Sequence, residues 1–251
     1  MPNTYDSLKI ETNSSEEISN EDKKSIFKSI VSSEFKSKIF YFLTLIQIAK
    51  PGAIKTREGD VFVNGQLEDY FYSITSIHRE SLEDIKNLKW PTYKNMRFID
   101  VWNWFQKNNF SFQRHSKSNI ERALNAFSYL FKDSIGDTVF DLFWSLVGIE
   151  TLYCSGKEGL SEQIFNKTQV FLGEIKDYKK RLKQMYDFRS RLVHGDMDIP
   201  PNHYKLEDED NDQFQQNLYD STILAVAILT ATLQKMVEGD RNNLSFKYIL
   251  E

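Results

Sequence analysis

Only one cysteine, Cys154, occurs in the 251 residues. That excludes a disulfide framework within the chain and points to a reducing, cytoplasmic setting. Glycine (10) and proline (5) are scarce. Their scarcity argues against a turn-rich β-sandwich and for long helices. Charge of one sign is also lacking, because 32 basic residues face 36 acidic ones for a net charge of −4. Bulk polyanion binding is excluded, and any nucleic-acid contact must be a local patch. The longest apolar runs, Ile39–Ala49 and Ile223–Leu233, contain Gln or Thr. They fall short of the roughly 20 residues that a bilayer span needs. The expectation is two core helices and no membrane partner. The polar Met1–Asn20 stretch has no signal-peptide pattern.

Cofactor signatures are missing too. No glycines space as GxGxxG or as a phosphate loop, and Gly156–Lys157 lacks its companions. There is no HExxH helix and no thiolate zinc set. No nucleophile elbow is present. The expectation is no cofactor and no metal.

What is present is a globular composition, with 40% apolar and 14% aromatic residues. Residues 1–20 are expected to be a tail. Asn20–Asp22 can open a helix carrying Ile26, Phe27, Ile30 and Val31, and a second helix is expected over Glu34–Lys50, stopped by Pro51–Gly52. Loose alternation around Val61, Val63 and Asn64–Gly65 suggests a small β element. Ile99, Val101, Trp102 and Phe105 suggest a short helix.

From Ser116 onward the helical pattern is continuous. Ser118 with Glu121 has capping-box spacing, and Ala123, Leu124, Phe127, Leu130 and Phe131 form one face. Asp137 can cap the next helix, with Phe140, Phe143, Trp144, Val147 and Leu152. Ser161 can open another, ended by Gly173. A long helix is expected from Asp177 to His194 with Gly195 at C′. Pro200–Pro201 and the acidic Glu207–Asp212 read as loop. A last helix covers Phe214 to Val237. The fold class is mainly α, with a helical domain at 116–240, an N-terminal region at 21–115 of mixed character, and a tail at 241–251.

One segment concentrates charge. Between Lys176 and His194, seven Lys or Arg stand against two Asp, about +5 on a chain that is negative overall. Near its end are Arg189 and His194. Five helical steps separate them by a rotation of about 140° and a rise of about 7.5 Å, so they can flank a groove rather than stack. Histidine exchanges protons near neutral pH. Arginine offers a planar fork of donors to phosphate oxygens. Together they can cleave RNA without metal. The alternative is a solvated basic face, with Arg and His favoured at a helix C-terminus by its dipole. Of the remaining histidines, His115 lies in a basic patch with Arg114 and Lys117, and His78 and His203 stand alone. Trp90, Trp102, Trp104 and Trp144 are expected mostly in the core.

The string Tyr186-Asp-Phe-Arg189-Ser190-Arg-Leu-Val-His194-Gly195 resembles the signature of HEPN domains, in particular the ApeA-like branch. Phe143-Trp-Ser-Leu-Val-Gly-Ile-Glu150 resembles the family's preceding helix, and Arg122–Phe127 the helix before that. The resemblance covers about residues 118–237. It implies a helical bundle that pairs as a homodimer, with two motifs facing each other in a composite ribonuclease site. Arg189 and His194 would take the catalytic positions, with Ser190 and Glu150 in support and Glu150 orienting Arg189. Lys179, Lys180, Lys183 and Arg191 would contact RNA. The family often serves in antiviral defence or as toxins, so an antitoxin or activating partner is a further expectation. Some members keep the fold and bind nucleotides or protein partners without catalysis.

Overall fold

The structure is a computed structural model that describes residues 19–53, 56–63, 65–74, 88–131, 138–156, 158–174, 179–199 and 209–247. Seven helices occur among the described residues, and the chain is mainly α. In chain order the elements are α1 (Asn20–Ala49), β1 (Thr56–Val63), β2 (Gln66–Ile74), α2 (Phe98–Lys107), α3 (Asn119–Tyr129), α4 (Thr138–Tyr153), α5 (Leu160–Leu172), α6 (Lys179–His194) and α7 (Glu209–Glu238). The strands β1 and β2 pair antiparallel, with Val63 opposite Gln66.

Ser19 caps α1 by accepting the Asp22 amide at 3.1 Å. Two helices were expected over this stretch, and one is found. The polar Ser32–Ser33–Glu34 run looks like a cap, but no glycine or proline interrupts residues 20–49, so the helix continues through it. It stops before Pro51–Gly52, where Gly52 takes φ 75° and its N–H donates to Gln47 Oε1 at 2.8 Å.

The last helix also starts earlier than expected. Glu209–Asp212 form its first turn rather than a loop. Acidic residues suit a helix N-terminus, where they offset the dipole. Glu207 and Asp208 lie outside the described residues, as do Pro200–Pro201, Asp137, Asp177, His78, His203 and most of the expected N-terminal tail.

Residues Ser221 to Gln234 of α7 are all buried. A helix apolar on every side must run through the core. It packs against α1, α2, α4, α5 and α6. By length and composition its Asp212–Glu238 stretch could also cross a bilayer, but 89% of its apolar window is buried inside this fold. Its polar side chains find partners within. Thr222 and Thr232 donate back to Leu218 O and Ile228 O at 2.8 and 2.6 Å. Tyr153 of α4 is hydrogen-bonded to Thr232 at 2.8 Å. Because the Thr232 hydroxyl proton already goes to Ile228, the phenol is the donor. Gln234 donates to Ile48 O and Lys94 O, both at 2.8 Å, and accepts from the Lys94 amide at 3.0 Å. A single core therefore joins Leu43–Phe105 to Ile120–Val237. Beyond α7, Leu244 and Phe246 pack on it, and Trp104 Nε1 donates to Arg241 O at 2.8 Å.

The site depends on how α4 is held. Gly148 lets α4 approach α7 closely, because a Cβ there would come within 2.9 Å of both Leu229 δ-carbons. Lys167 of α5, only 7% exposed, donates to Tyr153 O at 2.7 Å and caps the end of α4. The α5 start departs from expectation. Gly159 in the left-handed region (φ 59°) precedes Leu160, and Ser161 falls inside the first turn. No side chain bonds at that cap. Instead, Gln163 reaches back to Ser155 and to Glu158 O. Gly173 ends α5 as expected.

In α2 the buried residues are Val101, Trp104 and Phe105, while Trp102 is 36% exposed. Trp90 is buried as well, and its Nε1 donates to Gly173 O at 3.1 Å. Ser118 caps α3 through the Glu121 amide, as its spacing predicts. The Glu121 carboxylate accepts from Lys117 N at 2.7 Å and from Arg114 Nη2 at 2.8 Å.

Candidate active site

The helix α6 buries Leu182, Met185 and Phe188. Arg189 follows Leu182 by seven residues and Met185 by four, which places it in the same inward arc. Its side chain is only 20% exposed. There it meets α4. Arg189 Nη2 stands 3.5 Å from Glu150 Oε1, and its guanidinium lies 5.9 Å from the centre of the Tyr186 ring. Tyr186 Oη donates to the same Glu150 oxygen at 3.1 Å. Burial, then the Glu150 charge, hold the Tyr186 phenol well above its ordinary range. It therefore stays a protonated donor throughout the neutral range.

His194 ends the helix on a different face, rotated from Arg189 by about 140°. It is exposed. Lys179, Lys183, Ser190 and His194 follow at intervals of four, seven and four residues, which makes them one stripe. Ser190 is half-buried within it. The helix end itself is built from the motif. Gly195 takes φ 74° and Asp196 N–H donates to Arg191 O at 2.9 Å, the Schellman pattern. Arg191 Nε also donates to Asp196 O, at 3.3 Å.

Comparison with protein-family models, with curated proteins and with solved structures returned no match for this chain.

The fold thus brings together Glu150 and Arg189, two of the residues singled out from sequence. It does not bring His194 into their contact within one chain. Lys179, Lys180, Lys183 and Arg191 are all exposed, with Lys179 Nζ 5.1 Å from the Phe165 ring centre. His115 is exposed, while neighbouring Arg114 pairs with the buried Glu121. Sequence reasoning quoted Tyr186 but assigned it no task. The available signal was its place one helical turn before Arg189.

Two neighbours complete the surroundings. Cys154, one turn after Glu150, donates to Leu160 O at 3.7 Å. Burial, and then the Glu150 charge, push its thiol up to about 11. On the far flank of α6, an open cleft of about 550 Å³ separates it from α7. Met185, Phe188 and Leu224 line it together with Arg181, Gln184 and Arg191, but Arg189 and His194 do not. Among the described residues, no three His, Cys, Asp or Glu side chains group as a metal site.

Proposed function

We propose that the chain is a metal-independent endoribonuclease of HEPN type, with Arg189 as phosphate clamp and His194 as acid–base. One observation carries this reading. A merely solvated basic face would hold Arg189 in water beside Lys179, Lys180, Lys183 and Arg191. Arg189 is instead turned inward, where Glu150 and Tyr186 orient it. An always-charged side chain drawn into a half-buried position costs solvation, and such placements concentrate at working sites.

In the proposed reaction the ribose 2′-OH attacks the adjacent phosphorus. His194 takes the 2′-OH proton or gives one to the departing 5′ oxygen. The Arg189 guanidinium offsets the charge that builds on the non-bridging oxygens. The products are a 2′,3′-cyclic phosphate and a 5′-OH end. Because Arg189 and His194 point about 140° apart, the site is completed across a homodimer, where one copy's arginine can face the other's histidine. The exposed stripe of Lys179, Lys183 and His194 would then track the RNA backbone. A defence or toxin role held in check by a partner protein fits such an activity.

The deciding experiment measures RNA cleavage by wild type and by the Arg189→Ala/His194→Ala double variant in EDTA, with product ends mapped. The expected result is cyclic-phosphate ends from wild type and no cleavage by the variant. Equal cleavage by both would remove the assignment.

A second reading is a non-catalytic HEPN module that binds a nucleotide or a protein partner. It is favoured by the cleft between α6 and α7, which lies apart from Arg189 and His194 and carries Arg181, Gln184 and Arg191 at its rim. A folded dimer that binds such a ligand and leaves RNA intact would establish it.

A further inference from the structure

Two donors compete for one oxygen. Tyr186 Oη reaches Glu150 Oε1 at 3.1 Å, while Arg189 Nη2 stays at 3.5 Å. A charge-assisted N–H···O contact usually closes to about 2.7–2.9 Å, and arginine pairs with carboxylates through two parallel bonds where it can. Neither happens here. Among the described residues Arg189 makes no hydrogen bond, and its Nε is buried without a partner. An unmet buried donor is costly, because it has given up its water and gained no partner. A side chain so placed would gain by closing on Glu150, yet the phenol occupies the nearer oxygen. The ring of the same tyrosine also faces the guanidinium.

We infer that Tyr186 is a positioning residue for Arg189: by holding Glu150 Oε1, it keeps the carboxylate from closing a two-bond pair on the guanidinium and leaves the arginine's donors for a phosphate. The inference rests on reading Arg189 as the phosphate clamp. Glu150 sets where the guanidinium sits, and Tyr186 sets how tightly it is held. Without the hydroxyl, Glu150 is free to turn both oxygens to Arg189, and an incoming phosphate must then displace a full ion pair.

The test reads Arg189 directly. In the full chain labelled with ¹⁵N, the Arg189 Nε–H signal is assigned by its loss in Arg189→Lys and followed while inorganic phosphate is titrated. Tyr186→Phe keeps the ring and removes the hydroxyl. It should weaken phosphate binding about five- to tenfold, the scale of one hydrogen bond. Tyr186→Phe/Glu150→Gln should restore wild-type binding, since the competing charge is gone. Glu150→Gln keeps an acceptor oxygen to seat the guanidinium and removes only the competing charge, so alone it should bind phosphate at least as tightly as wild type, which keeps the test available if Tyr186→Phe fails to fold. An unchanged Tyr186→Phe, a double variant that stays weak, a weaker Glu150→Gln, or a wild-type Arg189 signal that ignores phosphate would each overturn the inference. Failure of the ribonuclease reading looks different: Arg189 would bind phosphate with this same pattern, and no RNA would be cut.

Discussion

The carbonyl of Arg191 accepts the Asp196 amide at 2.9 Å, and that bond closes the helix at the residue that carries the imidazole, His194. It requires Gly195 at φ 74°, a conformation that costs other residues about 1–2 kcal/mol. No atom lies within 4 Å of a Cβ built there, so a substitution would be strained by the backbone alone. Gly195→Ala should therefore destabilise the fold by about 1–2 kcal/mol in urea denaturation. On the proposed ribonuclease reading, RNA cleavage should fall further than that loss of folded protein explains, because the turn no longer sets where His194 sits. A variant with unchanged stability and activity would show that the turn is not needed.

The thiol of Cys154 offers a probe that does not depend on any activity. With its pKa pushed up to about 11, it carries little thiolate at pH 8. Iodoacetamide should modify it on the order of a hundredfold more slowly than an ordinary thiol with a pKa of about 8.5. Burial is the larger cause and the Glu150 charge the second. Glu150→Gln should thus speed the reaction at pH 8, though not to the rate of a free thiol. A labelling rate indifferent to Glu150 would place the carboxylate away from this end of the site.

Acid stability should pass through Glu121. The carboxyl is 3% exposed, and burial alone would raise its pKa, but the Arg114 guanidinium and the Lys117 amide outweigh that and hold it below the usual carboxylate range. A depressed folded-state value means the contribution is complete above the unfolded value of about 4.3 and is lost as pH falls through the folded one. Glu121→Gln should cost about 1–3 kcal/mol at pH 7. The gap to wild type should shrink as the pH drops below about 4. A gap that stays constant down to pH 3 in denaturant titrations would refute this account.

Local chemistry carried most of the helix ends. Ser118 with Glu121, Gly173 and Gly195 each mark a boundary through a bond or a dihedral that nearest neighbours dictate. The same local logic misplaced other boundaries. Ser32–Ser33–Glu34 has the composition of a helix start yet lies inside α1, and the acids at 209–212 have the composition of a loop yet open α7. In α2, spacing groups Trp102 with Ile99 and Phe105, yet Trp104 is the buried indole, held by a bond to Arg241 O across 137 residues that no local pattern encodes. At the candidate site, Arg189 and His194 stood out by residue type, and Glu150 only through the resemblance of its helix. The Tyr186–Glu150 bond spans 36 residues between two helices. No periodicity within either helix encodes such a pairing, which is set by how α4 and α6 settle around α7.

The position of α7 has a consequence for biosynthesis. Chains emerge from the ribosome N-terminus first, and α7 follows α1, α2, α4, α5 and α6 in chain order. Gln234 clasps the backbone at Ile48 and Lys94, 186 and 140 residues earlier. Until α7 is made, α1, α2, α4, α5 and α6 lack the one helix that all five pack on. Until then the sides of these helices that face α7 stay uncovered, the kind of exposed apolar surface that makes an unfinished chain prone to aggregate. A chain truncated before Gln234 would lose the clasp on Ile48 and Lys94 along with the end of the core helix.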